Sequence, residues 1–295
     1  MSLLQAIVLG LVQGITEFLP ISSTAHLRII PALLGWADPG AFYSSFIQLG
    51  TVAAVILYFW RELIAVARGM IQGLKERAPI KTVEARLGWF VILGTFPVAI
   101  VGLLFKKHIE TTLRSLYVIS ASMVALAVVL FIVERLAKHR RNMLELTARD
   151  ALIVGCCQAV ALIPGSSRSG TTLTGGLALG FKREDAARFS FLLSIPANVA
   201  AAVLEFKHHI HDADRPSDLM LAVGTAVAFG SGMAVIAGLL RFLRTRTTLV
   251  FVAYRLVLGV ALFTMLKTGR LSPQTGLEGD RGTPAKGALT EPSQP

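Results

Sequence analysis

Acidic residues, cysteine and charge in general are scarce in this chain. Of 295 residues, 18 are Asp or Glu against 29 Lys or Arg, only 16% are charged and 54% are hydrophobic. That balance excludes an ordinary soluble globular domain, which needs far more polar surface, and indicates a membrane protein. The formal net charge of +11 does not indicate nucleic acid, because the basic residues fall between apolar blocks and form no stripe alternating with aromatics. The two cysteines, Cys156 and Cys157, are adjacent in an apolar segment. They exclude a disulfide framework and a cysteine metal quartet, leaving helix packing as their role. The first ten residues, MSLLQAIVLG, lack the basic start and small-residue cleavage site of a signal peptide, so the first apolar block is expected to remain in the mature protein.

What is abundant is long apolar sequence. A spanning helix takes about 20 mainly apolar residues, and six segments qualify, at roughly 42–60, 86–105, 115–134, 187–206, 218–240 and 248–266. Two more stretches, 3–34 and 150–180, are interrupted near the middle by "LPISST" and "IPGSSRSGTT". Irregular backbone at membrane depth needs protein or a wet cavity to satisfy its polar groups, so both are expected to be re-entrant helix pairs.

The two interrupted stretches resemble each other. "GLVQGITEFLPISST" starts at Gly10 and "GCCQAVALIPGSSRSGT" at Gly155, so that Gln13 matches Gln158 and Ser22-Ser23 match Ser166-Ser167 after a one-residue gap. Each is followed by a span that begins Ser-Phe, at Ser45 and Ser190. The pattern defines a repeat, about 1–135 and 150–267, with one re-entrant pair and three crossings per half. An odd number of crossings inverts the second half relative to the first. The expected fold is an all-α polytopic membrane protein with an inverted-topology repeat, six transmembrane helices and two re-entrant helix pairs, forming one integral membrane domain over 1–267. Residues 268–295, rich in Gly, Pro and polar side chains, are expected to be a disordered tail.

Loop charge gives a direction. The segments 61–86, 135–150, 182–188 and 241–247 hold six, five, three and three Lys/Arg, against three and two in 106–114 and 207–218. The first set is expected on the cytoplasmic side. The first re-entrant pair then enters from outside and the second from the cytoplasm, so their tips can meet inside the bilayer.

Chemistry concentrates at those tips. Gln13 and Glu17 are four apart and share a helix face. Pro20 is expected to end that helix, Ser22 or Ser23 suits the N-cap of the next, and His26 follows one turn on from Ser23. The second repeat makes a similar helix start but carries Arg168 in place of the acid and imidazole. Two facing helix N-termini and a guanidinium form an anion cradle suited to a diphosphate. Beside it, Ser23 is a candidate nucleophile and Glu17 a base or a ligand for Mg²⁺ or Ca²⁺. A protonated His26 is a candidate to assist the leaving oxygen. An intramembrane carboxylate is expensive and generally functional. Arg255, in mid-span, faces either a structural partner (Glu17 or a carbonyl cluster) or substrate. "HHIHDAD", His208 to Asp214, reads as a solvated turn, and "ERLAKHRR", Glu134 to Arg141, as a cytoplasmic anchor.

"QGITEFLPISSTAHL" and "PGSSRSGTT" resemble the two signature motifs of the undecaprenyl-diphosphate phosphatase family, also called the bacitracin-resistance protein family. The similarity covers about residues 3–266, including "FIQLGTVAAVILYFWREL" and the "YR" at 254 and 255. The resemblance implies a multi-pass enzyme of the bacterial cytoplasmic (inner) membrane, with its active site opening to the outer face. Such an enzyme hydrolyses undecaprenyl diphosphate to the monophosphate, recycles the lipid carrier for wall synthesis and confers bacitracin resistance. It also implies a divalent cation, Mg²⁺ or Ca²⁺, and a long-chain polyprenyl diphosphate as partner, and leaves a homodimer open. By motif position the catalytic set falls on Glu17, Ser23, His26 and Arg168, with Glu17 also the metal position. The diphosphate-contacting positions fall on Ser167 and Thr172, and Gln13, Ser22, Thr24, Ser166 and Ser169 complete the expected binding set. Many relatives carry glutamate where this chain has Gln13, so Glu17 alone must supply the carboxylate. The competing expectation is a transporter or flippase of polyprenyl phosphate or another anion, since inverted repeats with broken helices are also a transporter plan.

Overall fold

The computed structural model describes residues 1–110, 112–209 and 216–275. The described residues form eleven α-helices and no named strand: α1 (Leu3–Phe18), α2 (Ser23–Leu34), α3 (Gly40–Tyr58), α4 (Trp60–Lys75), α5 (Val83–Glu110), α6 (Leu116–Leu136), α7 (Ala148–Val160), α8 (Arg168–Ala178), α9 (Arg183–His209), α10 (Asp218–Thr245) and α11 (Leu249–Lys267). Six of these, α3, α5, α6, α9, α10 and α11, are long and apolar enough to cross a membrane. They coincide with the six segments expected from hydropathy. The pairs α1–α2 and α7–α8 are the two interrupted stretches, each too short per helix to span.

The helix starts are dictated locally and in parallel. Ser2 Oγ accepts from the Gln5 N–H and Gln5 Oε1 from the Ser2 N–H, closing a capping box on α1. Thr147 and Asp150 close the same box on α7, its counterpart. Leu19 is extended, with φ −69° and ψ 141°, as its place before Pro20 demands, so α1 stops at Phe18. The helix α4 was not expected: its apolar and charged residues alternate too closely for a span, and it packs instead along α5. Glu62 on α4 meets Arg188 on α9 at 2.9 Å.

The packing of the halves is reciprocal. α1 lies on α10, and its counterpart α7 lies on α5, which holds the same place in the first half as α10 in the second. α3 also lies on α10, as its counterpart α9 lies on α5, while α3 on α9 and α6 on α11 join equivalent helices. These exchanges are consistent with two inverted repeats. Both crossings depend on a glycine. A Cβ at Gly10 would collide with the carbonyl of Gly224 on α10, and one at Gly155 with the carbonyl of Gly94 on α5. Backbones at such distance pack without hydrophobic driving force, through close van der Waals contact, as membrane helices do.

The segment read as an anchor does more than sit in solvent. Glu134 is buried and takes bonds from Arg183 and from the Thr248 hydroxyl (2.9 Å), joining α6, α9 and the start of α11. Arg141 clamps Asp150 at 2.6 Å and the Leu179 carbonyl at 3.1 Å. The polar C-terminal stretch keeps contact with the helices as far as Pro273, whose carbonyl accepts from the Leu116 N–H at 3.1 Å. Residues 276–295, and the side chains of "HHIHDAD", lie outside the described residues.

Because the two glycine crossings are equivalent, Gly10→Val and Gly155→Val are expected to destabilise the protein similarly, each by about 1–3 kcal/mol from overpacking. Thermal unfolding of the purified protein in detergent measures this; Gly230→Val, where a Cβ meets nothing within 4 Å, serves as the control and should change little.

Candidate active site

The two interruptions meet, and what joins them is the Glu17 carboxylate. Its Oε1 accepts from Arg168 Nη2 (2.8 Å), Gln48 Nε2 (3.2 Å) and Asn198 Nδ2 (3.2 Å). Its Oε2 accepts from Ser23 Oγ (2.7 Å) and Gln13 Nε2 (3.0 Å). Glu17 is 5% exposed, and five donors with one paired guanidinium make an ionised carboxylate tenable there. Arg168 also donates from Nη1 to the Ser190 carbonyl at 3.2 Å, which fixes the plane of its fork.

Around this ion pair the two helix starts are built alike. Ser22 and Ser167 are the N-caps of α2 and α8, and both hold a positive φ, 75° and 71°. Left-handed backbone at a residue other than glycine stores about 1–3 kcal/mol of strain and persists only where surroundings enforce it. Each cap hydroxyl accepts from the third helical N–H, of Ala25 or Gly170, and shares a bond with the hydroxyl two residues on, Thr24 (3.1 Å) or Ser169 (3.2 Å). The caps correct the expected register by one residue. Ser22 corresponds to Ser167, and Ser23 to Arg168: each cap stands nine residues after its matched glutamine, Gln13 or Gln158, and only the proline falls one position earlier in the second tip. The two corresponding side chains, Ser23 and Arg168, both end on Glu17.

Among the described residues, the backbone N–H groups of Ser23, Thr24, Arg168 and Ser169 make no hydrogen bond. Buried beside them, Arg168 Nε and Ser166 Oγ also lack partners. Unclaimed N–H groups at two helix N-termini beside a guanidinium are what an oxyanion binds. Ser169 is less available, since its hydroxyl donates to the Leu19 carbonyl at 2.8 Å and so ties α8 to the end of α1. Thr172 is fully buried, with its hydroxyl bonded to the Arg168 carbonyl (2.7 Å) and to Ser190 (2.5 Å), so it holds Arg168 in place.

Of two expectations about neighbours, that for His26 is corrected and that for Arg255 resolves to one of its alternatives, the carbonyl cluster. His26 does not converge with Glu17 and Ser23. Its Nδ1 lies 2.7 Å from the Ser22 carbonyl and its Nε2 2.6 Å from the Tyr254 hydroxyl, with the two rings stacked at 5.6 Å. A carbonyl can only accept, so Nδ1 carries the proton and Nε2 accepts from Tyr254. One turn on from the cap, the imidazole must bond back to the cap carbonyl, which turns it away from the acid. Arg255 pairs with no carboxylate: it donates to the carbonyls of Pro20 (3.3 Å), Gly165 (3.1 Å), Ser122 (3.5 Å) and Met123 (3.2 Å). It thus fastens both tips to α6, and Ser122 adds a bond to the Pro164 carbonyl at 2.6 Å.

Gln48, Asn198 and Tyr254 went unrecognised in the sequence. The signal for the two amides was a polar side chain inside a span, which costs free energy in a bilayer unless partnered. Tyr254 was visible only as the neighbour of Arg255.

Next to the tips opens a cavity of about 420 Å³, lined by Thr24, Gln48 and Pro164 and, more widely, by residues of α2, α3, α5 and α9. Among the described residues no three His, Cys, Asp or Glu side chains cluster as a metal site. The donor set fits a hard divalent cation only in its sparest form: one carboxylate, Glu17, with the amides of Gln13 and Gln48, completed by ligand oxygens.

Fold and site together define a polytopic membrane protein with a buried polar centre formed where two interrupted helix pairs meet. Residues 6–261 match the family described as Bacitracin resistance protein BacA, and the chain belongs to that family. It is 61% identical over 289 residues to the undecaprenyl-diphosphatase of Myxococcus xanthus, covering 96% of this chain and 97% of that one. It is 50% identical over 282 residues to that of Chlorobaculum tepidum, covering 92% and 100%.

Arg168→Gln leaves the Glu17 anion buried without a cation and should lower stability by about 3–5 kcal/mol, and Glu17→Gln should strand Arg168 similarly. The double variant is expected to lose clearly less than the sum. A double-mutant cycle in unfolding free energy reads this; strict additivity would contradict the coupling.

Proposed function

We propose that the chain hydrolyses undecaprenyl diphosphate to undecaprenyl phosphate and phosphate, and thereby recycles the lipid carrier of wall synthesis and confers bacitracin resistance. The observation that carries the proposal is the Ser23 hydroxyl, hydrogen-bonded to the Glu17 carboxylate at 2.7 Å amid unclaimed helix-terminal N–H groups. A nucleophile, its base and an anion cradle thus occupy one point. The names of the relatives support the substrate.

The terminal phosphate would sit on the N–H groups of Ser23, Thr24, Arg168 and Ser169, with Arg168 Nε as a further donor and the prenyl chain along the apolar cavity. Ser23 Oγ attacks the terminal phosphorus while its proton passes to Glu17. As the Ser23 O–P bond forms, the bond from that phosphorus to the bridging oxygen breaks, and the bridging oxygen departs with its electron pair as part of the lipid monophosphate. A phosphate monoester has a second pKa of about 6, so it leaves near neutral pH without a proton from a general acid. Water then adds to the phosphoseryl phosphorus. Once the lipid monophosphate has left, Glu17 releases to solvent the proton it took from Ser23; it then accepts a proton from the attacking water and returns it to the Ser23 oxygen as the phosphoserine O–P bond breaks, which restores the site and frees orthophosphate. His26 acts here as a positioning residue: its Nδ1–H holds the strained Ser22 cap that aims Ser23.

Mg²⁺ or Ca²⁺ belongs to the proposal. Glu17 and the amide oxygens of Gln13 and Gln48 would hold it with the diphosphate, where it would neutralise phosphate charge. The site is proposed to lie in the bacterial inner membrane and to open outward, in keeping with the loop charges. Reciprocal packing of the halves also favours a second reading, lipid flipping. Movement of labelled polyprenyl phosphate across liposomes by the Ser23→Ala variant would support it.

Phosphate release from a long-chain polyprenyl diphosphate tests the reaction. Ser23→Ala and Glu17→Gln should each lower kcat by about 10²- to 10⁴-fold, and chelation should abolish turnover until Mg²⁺ or Ca²⁺ is returned. Full turnover in both variants would contradict the mechanism. His26→Asn, which keeps a donor for the Ser22 carbonyl, should retain more activity than His26→Ala, with the pH profile unchanged in shape. Equal loss in both, with one limb of the profile gone, would make His26 a proton donor instead.

A further inference from the structure

One buried cation in the cavity has no use in the chemistry above. Arg28 lies on α2, its side chain is 3% exposed, and all three guanidinium nitrogens lack a hydrogen-bond partner. Asp38 is the nearest acid, 3.6 Å from Nε, and it is already committed. Its Oδ2 takes Arg114 at 2.6 Å and its Oδ1 takes the Gly40 N–H at the start of α3 at 3.1 Å. Arg28 therefore buries five N–H donors with nothing accepting from them, an arrangement that destabilises a protein by itself. Arg28, Asp38 and Arg114 all line the same cavity as Thr24 and Gln48, and Glu205 lines it as well. Thr24 is four residues before Arg28, so the two share a helix face, one turn apart, and Thr24 is exposed. A row of donors thus runs from the tip through Thr24 to Arg28 and then Arg114.

We propose that Arg28 is a second phosphate-binding position, one helical turn away from the reacting tip, within the same cavity. The proposal rests on the phosphatase reading for the identity of its ligand but not for the existence of the site. A planar fork of five donors fits a tetrahedral oxyanion, and hydrolysis supplies two such groups: the orthophosphate released at the tip and the phosphate that stays on the lipid. Orthophosphate leaving the tip would meet Arg28 before Arg114, and an arginine retained for that purpose accounts for a buried charge that contributes nothing to stability.

The test uses the full chain in detergent, with inorganic phosphate as the probe. Phosphate should raise the Tm of the wild-type protein and of Ser23→Ala, and should do so far less in Arg28→Gln. In turnover, if the position holds released orthophosphate, Arg28→Gln raises the Ki for phosphate about tenfold while KM for the lipid diphosphate stays level, as loss of one charged hydrogen bond implies. If it holds the lipid's own phosphate, KM and the Ki for lipid monophosphate rise instead. Either result supports the site, and no change in any of these constants or in the Tm response overturns it. Arg28→Met guards against a folding defect: without phosphate its Tm should equal or exceed that of the wild type, because a buried guanidinium with no hydrogen-bond partner has been removed while Asp38 keeps its bond to Arg114. A large fall in Tm would make Arg28 a structural partner of Asp38 and also overturn the proposal. Should the protein prove not to hydrolyse diphosphates, the phosphate-dependent Tm through Arg28 still decides the site.

Discussion

The carboxylate of Glu17 takes hydrogen bonds from five side chains on five helices, α1, α2, α3, α8 and α9. An ionised group at this depth is tolerable only while those donors stay, since each one lost returns part of a desolvation penalty of several kcal/mol. The two tips cannot separate without stripping the anion, so the meeting of the halves and the ionisation of the site are one condition. Arg255 makes a second tie, reaching the carbonyls of both tips, which lack helical partners where the helices break. The interruption that makes the site reactive is thereby kept from being a defect.

Duplication explains how such a centre arises without a large set of catalytic residues. Each half supplies a strained serine cap, a start of helix with free N–H groups, and a glycine crossing that fixes the tilt of its first helix. The halves then differ at one decisive place. Where one tip carries Ser23, the other carries Arg168, and Glu17 between them bonds to both. A hydroxyl and a guanidinium become neighbours on Glu17 through symmetry of backbone and asymmetry of side chain.

Much of this was legible from the residues. Six spans, two interrupted pairs and the repeat follow from hydropathy and from the recurring Gln, Pro and Ser, because those features act locally through helix length and capping. What was not legible depended on distance in sequence. Asn198 lies 181 residues from Glu17, and a lone amide in a span does not announce its partner. His26 was expected beside the acid because it stands one turn on from Ser23, but the cap carbonyl competed for its Nδ1 and Tyr254, 228 residues on, took Nε2. The register of the second tip slipped by one because its proline falls one position earlier and two serines follow it, and only backbone geometry marks which serine begins the helix. Arg28 carried no signal in the sequence, since its lack of partners is a property of packing.

The central claim is that helix N-termini from both halves form a single anion site around Glu17. An experimental structure of the Ser23→Ala protein with a bound polyprenyl diphosphate tests it most directly. The account predicts phosphate oxygens within hydrogen-bond distance of the N–H groups of Thr24 and of Arg168 at once, with the Arg168 guanidinium against the same phosphate. A diphosphate seated on one tip only, or elsewhere in the membrane domain with Glu17 still fully engaged by its present donors, would contradict it.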